Sequence, residues 1–155
     1  MKKLTYILSL LFLVSVGFIS CSSDDNDDSV IDYAGLPANA QNFVETHFPG
    51  VTSNYVTREN VPDSDGTLYE VHLSNGFDID FDSEGNWTGI DGNYQILPNS
   101  VIALLPVNIL NYLSVNYPDA SVIEMEKKPY GYKVELNTNV DLRFDSNGNF
   151  LGIDY

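Results

Sequence analysis

The sequence predicts an α+β fold, built as a tandem repeat of a helix followed by a four-stranded antiparallel β-sheet. Three observations predict it. The phrase FDSEGNWTGID (Phe81 to Asp91) returns as FDSNGNFLGID (Phe144 to Asp154), with eight of eleven positions identical. LPANAQNFVETHFP (Leu36 to Pro49) aligns with LPVNILNYLSVNYP (Leu105 to Pro118) at an offset of 69. YEVHLSNGFDIDFDSEGNW (Tyr69 to Trp87) aligns with YKVELNTNVDLRFDSNGNF (Tyr132 to Phe150) at an offset of 63. The second copy therefore lacks six residues where the first carries VPDSDG, Val61 to Gly66. Self-similarity at a fixed spacing marks repeated units, here about 31–92 and 97–155 of a domain covering 31–155.

The chain opens with Lys2 and Lys3, then an apolar run from Leu4 to Ile19. A largely apolar run of sixteen residues behind a positive start, with a small residue before the cut, reads as a secretory signal over 1–20 rather than a bilayer span. The single cysteine, Cys21, falls where cleavage is expected, and FISC resembles a bacterial lipobox. Lipid attachment at Cys21 is the expectation, and a chain with one cysteine has no internal disulfide. Residues 21–30 carry SSDDNDD and read as an acidic tether, since four aspartates without apolar neighbours stay in water. This stretch resembles the acidic export signal of Bacteroidetes surface lipoproteins, which implies an outer-membrane lipoprotein, periplasmic or surface-exposed.

Within each unit the helix comes first. Leu36, Ala40, Phe43, Val44 and Phe48 make one apolar stripe, and Leu105, Ile109, Tyr112, Leu113 and Tyr117 repeat the spacing. Pro37 and Pro106 suit a first helical turn, while Pro49 and Pro118 stop the helices. PNSVIALL, from Pro98, adds a short preceding helix to the second unit. Strands near 54–60 and 121–128 start each sheet. Tyr69, Val71 and Leu73, then Phe77, Ile79 and Phe81, alternate with polar residues, as do Tyr132, Val134 and Leu136, then Val140, Leu142 and Phe144. Such alternation packs one face and wets the other. Ser74-Asn75-Gly76 reads as a tight turn between two of these strands.

The repeated acidic phrase admits two readings. From Asp80, the residues DFDSEGNWTGID place acids at positions 1, 3, 5 and 12 with Gly at 6, close to an EF-hand calcium loop. Asp80, Asp82 and Glu84 are then candidate calcium ligands. Against this, the second copy holds Arg143 at the first ligand position, and the flanking residues alternate as strand rather than helix. The turn reading puts Gly85 and Gly148 in the left-handed region, with Asp82 and Asp145 accepting backbone N–H bonds. A hairpin is the expectation, because each unit needs the same reversal.

Composition narrows function further. There are 22 acids against 7 bases, and loss of the leader with Lys2 and Lys3 takes the formal charge from −15 down to −17. That surface repels phosphate backbones and argues against nucleic acid as partner. His47 and His72 are the histidines, and no HExxH, GxSxG, phosphate loop or dinucleotide fingerprint occurs. No enzymatic activity and no cofactor are expected. His47 reads as a packing residue on the first helix. Trp87, aligned with Phe150, is expected to pack beside the turn.

The pattern LP–helix–FP, then YxVxL, then FDxxGxW, resembles the PepSY-like periplasmic domains of Bacteroidetes. These are similar in fold to beta-lactamase inhibitory protein, which implies a sheet used against a protein partner and no enzymatic activity. The expected function is a lipid-anchored, non-enzymatic binding module of the envelope, binding or inhibiting an exported protein. Its expected binding face comprises Glu70, His72, Asp78, Asp80, Lys133, Glu135, Asp141 and Arg143 on the wet sides of the strands. The alternative is a calcium-responsive envelope protein with a weak cation site in the first unit.

Overall fold

The structure, a computed structural model, describes residues 29–154. The leader, Cys21 and the acidic stretch up to residue 28 lie outside the described residues. Ser29 and Val30, which the sequence groups with the tether, already belong to the first strand.

Nine strands form one antiparallel sheet in strict chain order: β1 (Ser29–Ile31), β2 (Ser53–Arg58), β3 (Tyr69–Leu73), β4 (Asp78–Phe81), β5 (Trp87–Asp91), β6 (Val122–Lys128), β7 (Gly131–Leu136), β8 (Val140–Asp145) and β9 (Phe150–Asp154). Helix α1 (Ala38–His47) follows β1, and the single turn α2 (Asn99–Ile102) and α3 (Val107–Asn116) separate β5 from β6. This corrects the expected tandem pair of helix-plus-four-stranded-sheet units. Among the described residues the fold is mostly one continuous sheet with few short helices. The overturning contact is the β5·β6 ladder, in which Gly89, Ile90 and Asp91 face Glu126, Met125 and Glu124. Two separate four-stranded sheets would leave the backbone groups of β5 and β6 unpaired as open edges; joining them satisfies both. The strand β1, absent from the expected pattern, covers the outer edge of β2.

One face of the sheet is apolar. Val56, Val71, Ile79, Phe81, Ile90, Met125, Val134, Leu142 and Phe144 lie on it, each at most 1% exposed. The helices close this face. Leu36, Ala40, Val44 and Phe48 from the α1 segment and Leu105 and Ile109 from the α3 segment join the same core. Phe43 meets Phe81 edge-on at 5.6 Å, and Tyr112 meets Phe144 in the same way at 5.4 Å. Pro37 and Pro106 cap the helices, with φ of −53° and −51°. Their carbonyls accept the first helical N–H bonds, and a missing N–H costs nothing there.

Both acidic phrases form the expected reversal. Gly85 and Gly148 share a φ of 81°. The Asp82 carboxylate accepts N–H bonds from Glu84 and Asn86 at 2.9 Å and a third from the Asn86 amide. Asp145 repeats all three with Asn147 and Asn149. The turns have a second task that the sequence did not disclose. The Asn39 amide donates to the Glu84 carbonyl, and the Asn108 amide to that of Asn147. A Cβ on Gly85 would stand 2.7 Å from the Ala40 nitrogen, and one on Gly148 3.1 Å from three atoms of the α3 segment. Each helix start is therefore seated directly on a glycine turn.

Candidate functional site

The face of the sheet opposite the helices carries the polar residues of β2 to β9, and the pairing register sorts those residues into two rows. One row runs Tyr55, His72, Asp78, Asp91, Glu124, Glu135, Asp141, Asp154 across β2 to β9. The neighbouring row runs Thr57, Glu70, Asp80, Gly89, Glu126, Lys133, Arg143, Gly152. All of the residues expected on a binding face fall in these rows. His72, Asp78, Glu135 and Asp141 stand in the first; Glu70, Asp80, Lys133 and Arg143 stand in the second. The structure thus gathers them on one surface, with six carboxylates in succession along the first row.

The calcium candidates are not gathered. Asp80 lies in the second row, whereas Asp82 is engaged by the turn and Glu84 sits exposed at its tip. Asp91, the twelfth position of the EF-hand-like phrase, pairs across the hairpin with Asp78.

Sequence reasoning missed Asp91, Glu124, Glu126, Lys128 and Asp154. The alternation in VIEMEKK would have exposed Glu124 and Glu126, but their importance depends on β6 lying beside β5. Lys128 Nζ holds Glu126 and Asp65, each at 2.6 Å. Lys133 Nζ lies 3.3 Å from both Glu126 and Asp141. Arg143 Nε stands 3.8 Å from Asp154, too far for a hydrogen bond. These groups enclose an open groove of about 520 Å³ lined by Glu124, Glu126, Lys128, Tyr130, Lys133, Asp141 and Asp154.

Electrostatics follow from burial and crowding. Burial first, then the charges of Glu70, Glu126, Asp63 and Asp78, push the Asp80 carboxyl up to about 7. Asp80 can lie over the sheet because its cross-strand neighbour is Gly89, where a Cβ would fall 2.6 Å from Oδ2. Burial and a hydrogen bond to Glu135 push Glu124 to about 8. Burial also acts to raise Glu126, but hydrogen bonds and charges from Lys128 and Lys133 outweigh it and hold the group below its ordinary range. For both lysines the surrounding carboxylates overcome desolvation and strengthen proton binding. At pH 7 the face therefore carries protons on some acids beside fully charged lysines.

At the β2–β4 end, the His72 ring touches a carboxylate on each side, Asp78 at 2.8 Å through Nδ1 and Glu70 at 3.4 Å through Nε2. The Tyr55 ring stacks on it at 4.0 Å. Glu70, His72 and Asp78 form a group with metal-binding spacing among the described residues. His47 lies on the helix side, packed on Phe43 with ring centroids 4.5 Å apart, as the sequence expects. Trp87 is 8% exposed beside its turn, with the Lys127 ammonium 4.0 Å above the ring.

A family model described as "Putative beta-lactamase-inhibitor-like, PepSY-like" matches residues 67–152. Among solved structures, a "putative calcium-regulated periplasmic protein" of Bacteroides thetaiotaomicron is 33% identical, with a TM-score of 0.73 over 83% of this chain and 98% of its own. A "putative periplasmic protein" of the DUF2874 family from Bacteroides vulgatus is 32% identical, with a TM-score of 0.72 over 84% of this chain and 99% of its own. A third, a "putative periplasmic protein of unknown function" from the same species, is 28% identical at a TM-score of 0.74, covering 83% and 99%. No curated protein matches the chain significantly.

Proposed function

From the premise that the chain belongs to the PepSY-like, beta-lactamase-inhibitor-like family, we propose that it is a lipid-anchored, non-enzymatic binding module of the bacterial envelope. It holds an exported protein against the open face of its sheet. The observation that carries this reading is the pair of in-register polar rows, continuous across β2 to β9 and uncovered among the described residues. The rows present carboxylates in bulk and few cations, so the complementary partner surface is basic. The periplasmic description of the structural neighbours supports an envelope location. The lipobox-like FISC and the aspartates after Cys21 support an anchor in the outer membrane.

Site-specific photo-crosslinking in cells tests the binding face. A photoreactive residue at Glu135 or Asp141 is expected to trap one discrete adduct, and the same residue at exposed Val107 or Val115 on the helix side is expected to trap none. Adducts from the helix side alone would overturn the proposal. The anchor is tested separately by palmitate labelling, which is expected to vanish in Cys21→Ser.

One observation favours a second reading: the relative described as calcium-regulated. In that reading Asp80, Asp82 and Glu84 take up a weakly held cation. Calorimetry with calcium alone distinguishes the two. Heat at millimolar calcium that disappears in Asp82→Ala favours the cation, and its absence leaves the protein partner.

A further inference from the structure

We propose that the outer edge of β9 is a docking edge for a second copy of this chain, taken up through that copy's β2 in place of its β1. This edge is separate from the binding face above. Strands β5 and β9 share the ending Gly-Ile-Asp and the same register against the preceding strand. Ile79 faces Ile90 and Asp80 faces Gly89 across β4·β5, and Leu142 faces Ile153 and Arg143 faces Gly152 across β8·β9, with a bulge at the same place in both. The far edge of β5 is occupied by β6, through Gly89↔Glu126, Ile90↔Met125 and Asp91↔Glu124. The far edge of β9 has no partner strand among the described residues. It leaves a ladder of backbone groups open beside Phe150 and Leu151, which are 39% and 54% exposed.

The strand that matches this edge is also present in the molecule. β2 follows α1 as β6 follows α3, and Tyr55, Val56 and Thr57 stand where Glu124, Met125 and Glu126 stand in β6. Val56 and Met125 are both fully buried in the core face. The edge of β2 is held by only three residues of β1, through Val30↔Thr57 and Ile31↔Val56. Those are the positions that Gly89 and Ile90 hold on β6. β1 is therefore a short substitute for a strand of the β5 kind, and β9 is a full-length strand of that kind without a partner.

Direction and charge select this joint over its rivals. In an all-antiparallel meander β1 and β9 run the same way, so abutting two intact sheets edge to edge creates a parallel joint. Pairing β9 with β2 of the second copy continues the antiparallel alternation, as β5·β6 does. Two β9 edges placed together would put Asp154 of both copies on the same seam. β2 instead offers uncharged Tyr55 and Thr57 on its polar side. The resulting register sets Gly152, Ile153 and Asp154 against Thr57, Val56 and Tyr55 of the second copy, and the released β1 lengthens the segment behind Cys21.

Disulfide trapping tests the register. The full chain carries Cys21→Ser together with Tyr55→Cys and Asp154→Cys, both at exposed positions. Inside one chain β2 and β9 are seven strand spacings apart, roughly 30 Å along the sheet, far beyond the ~7 Å Cα limit of a disulfide. Every bond formed is therefore between copies. Mild oxidation is expected to give a ladder of linked oligomers in the double variant and none with Tyr55→Cys alone. Adding Val30→Pro, which weakens β1, is expected to raise the linked fraction several-fold. The proposal is overturned by an unlinked double variant of native circular dichroism, or by equal linking through Asp154→Cys alone. It is also overturned by a yield that Val30→Pro leaves unchanged.

Discussion

Replacing Asp80 by Asn should lessen the stability the protein loses as pH rises. The carboxyl is mostly buried among acids, and its proton is held from the ordinary 3.8 up to about 7. An unfolded chain releases that proton near 3.8, so between these values the folded state binds more protons than the unfolded state. The resulting stability is complete below the unfolded value and is lost as pH rises through the folded one. The gap of roughly 3 pH units, at about 1.4 kcal/mol each, corresponds to about 4 kcal/mol over the whole range. Between pH 5 and pH 8 it corresponds to about 2.5 kcal/mol. Asn has nearly the same shape, fits over Gly89 and does not titrate. Urea unfolding at constant ionic strength should therefore show Asp80→Asn gaining about 2.5 kcal/mol on the wild type from pH 5 to pH 8. A difference between the two proteins that stays flat within ~0.5 kcal/mol would refute a buried, proton-holding Asp80.

The turns and core give four further expectations. Gly85→Ala combines a φ of 81° with a Cβ 2.7 Å from the Ala40 nitrogen, so denaturant titration should show a loss of about 2–4 kcal/mol. Gly66→Ala has a φ of 86° and nothing within 4 Å, so its loss should be nearer 1 kcal/mol. Phe144→Ala empties a fully buried site against Tyr112 and should cost about 3–5 kcal/mol in the same titration. Asp145 is held below its ordinary range by the Asn149 side-chain hydrogen bond and then by backbone N–H groups. Its stabilisation is present above the unfolded value and lost as pH falls, the opposite sign to Asp80. Thermal melts of Asp145→Ala should therefore fall less on acidification than those of the wild type.

Local patterns carried much of this structure into the sequence. The apolar stripes placed α1 and α3, since Ala40, Val44 and Ile109 are the positions they bury. Period-two alternation separated Val71, Ile79 and Leu142 from Glu70, Asp80 and Arg143, and so assigned the candidate face residues to the correct side. Asp-x-x-Gly identified both reversals. What stayed hidden depends on chain segments meeting. Nothing local in TGID or VIEMEK states that these strands pair, so two sheets were expected where one exists. With that joint unread, Glu124, Glu126 and Asp91 were missed, because they become neighbours only across β5·β6. β1 was missed because three residues are too few to show a period. Gly85 and Gly148 disclosed a turn but not the helix start resting on it, which needs the folded distance.

The joint also bears on why the open face has its composition. Along the first row Asp78, Asp91, Glu124, Glu135, Asp141 and Asp154 occupy successive strands, giving five neighbouring acid pairs. Like charges directly opposite each other in a sheet are destabilising, by up to about 1 kcal/mol each. The protein lessens this repulsion only in part, with a proton retained on Glu124 and with Lys133 set between Glu126 and Asp141. Sequences that break a local rule without a compensating gain in packing do so chiefly where function requires it. The helix side of the same sheet breaks no such rule: its strands alternate cleanly into a dry core. The unrelieved charge is thus confined to the face opposite the helices. A basic surface docking there would remove repulsion as well as add contacts, so the affinity of such a complex should depend on salt more strongly than the stability of the free protein does.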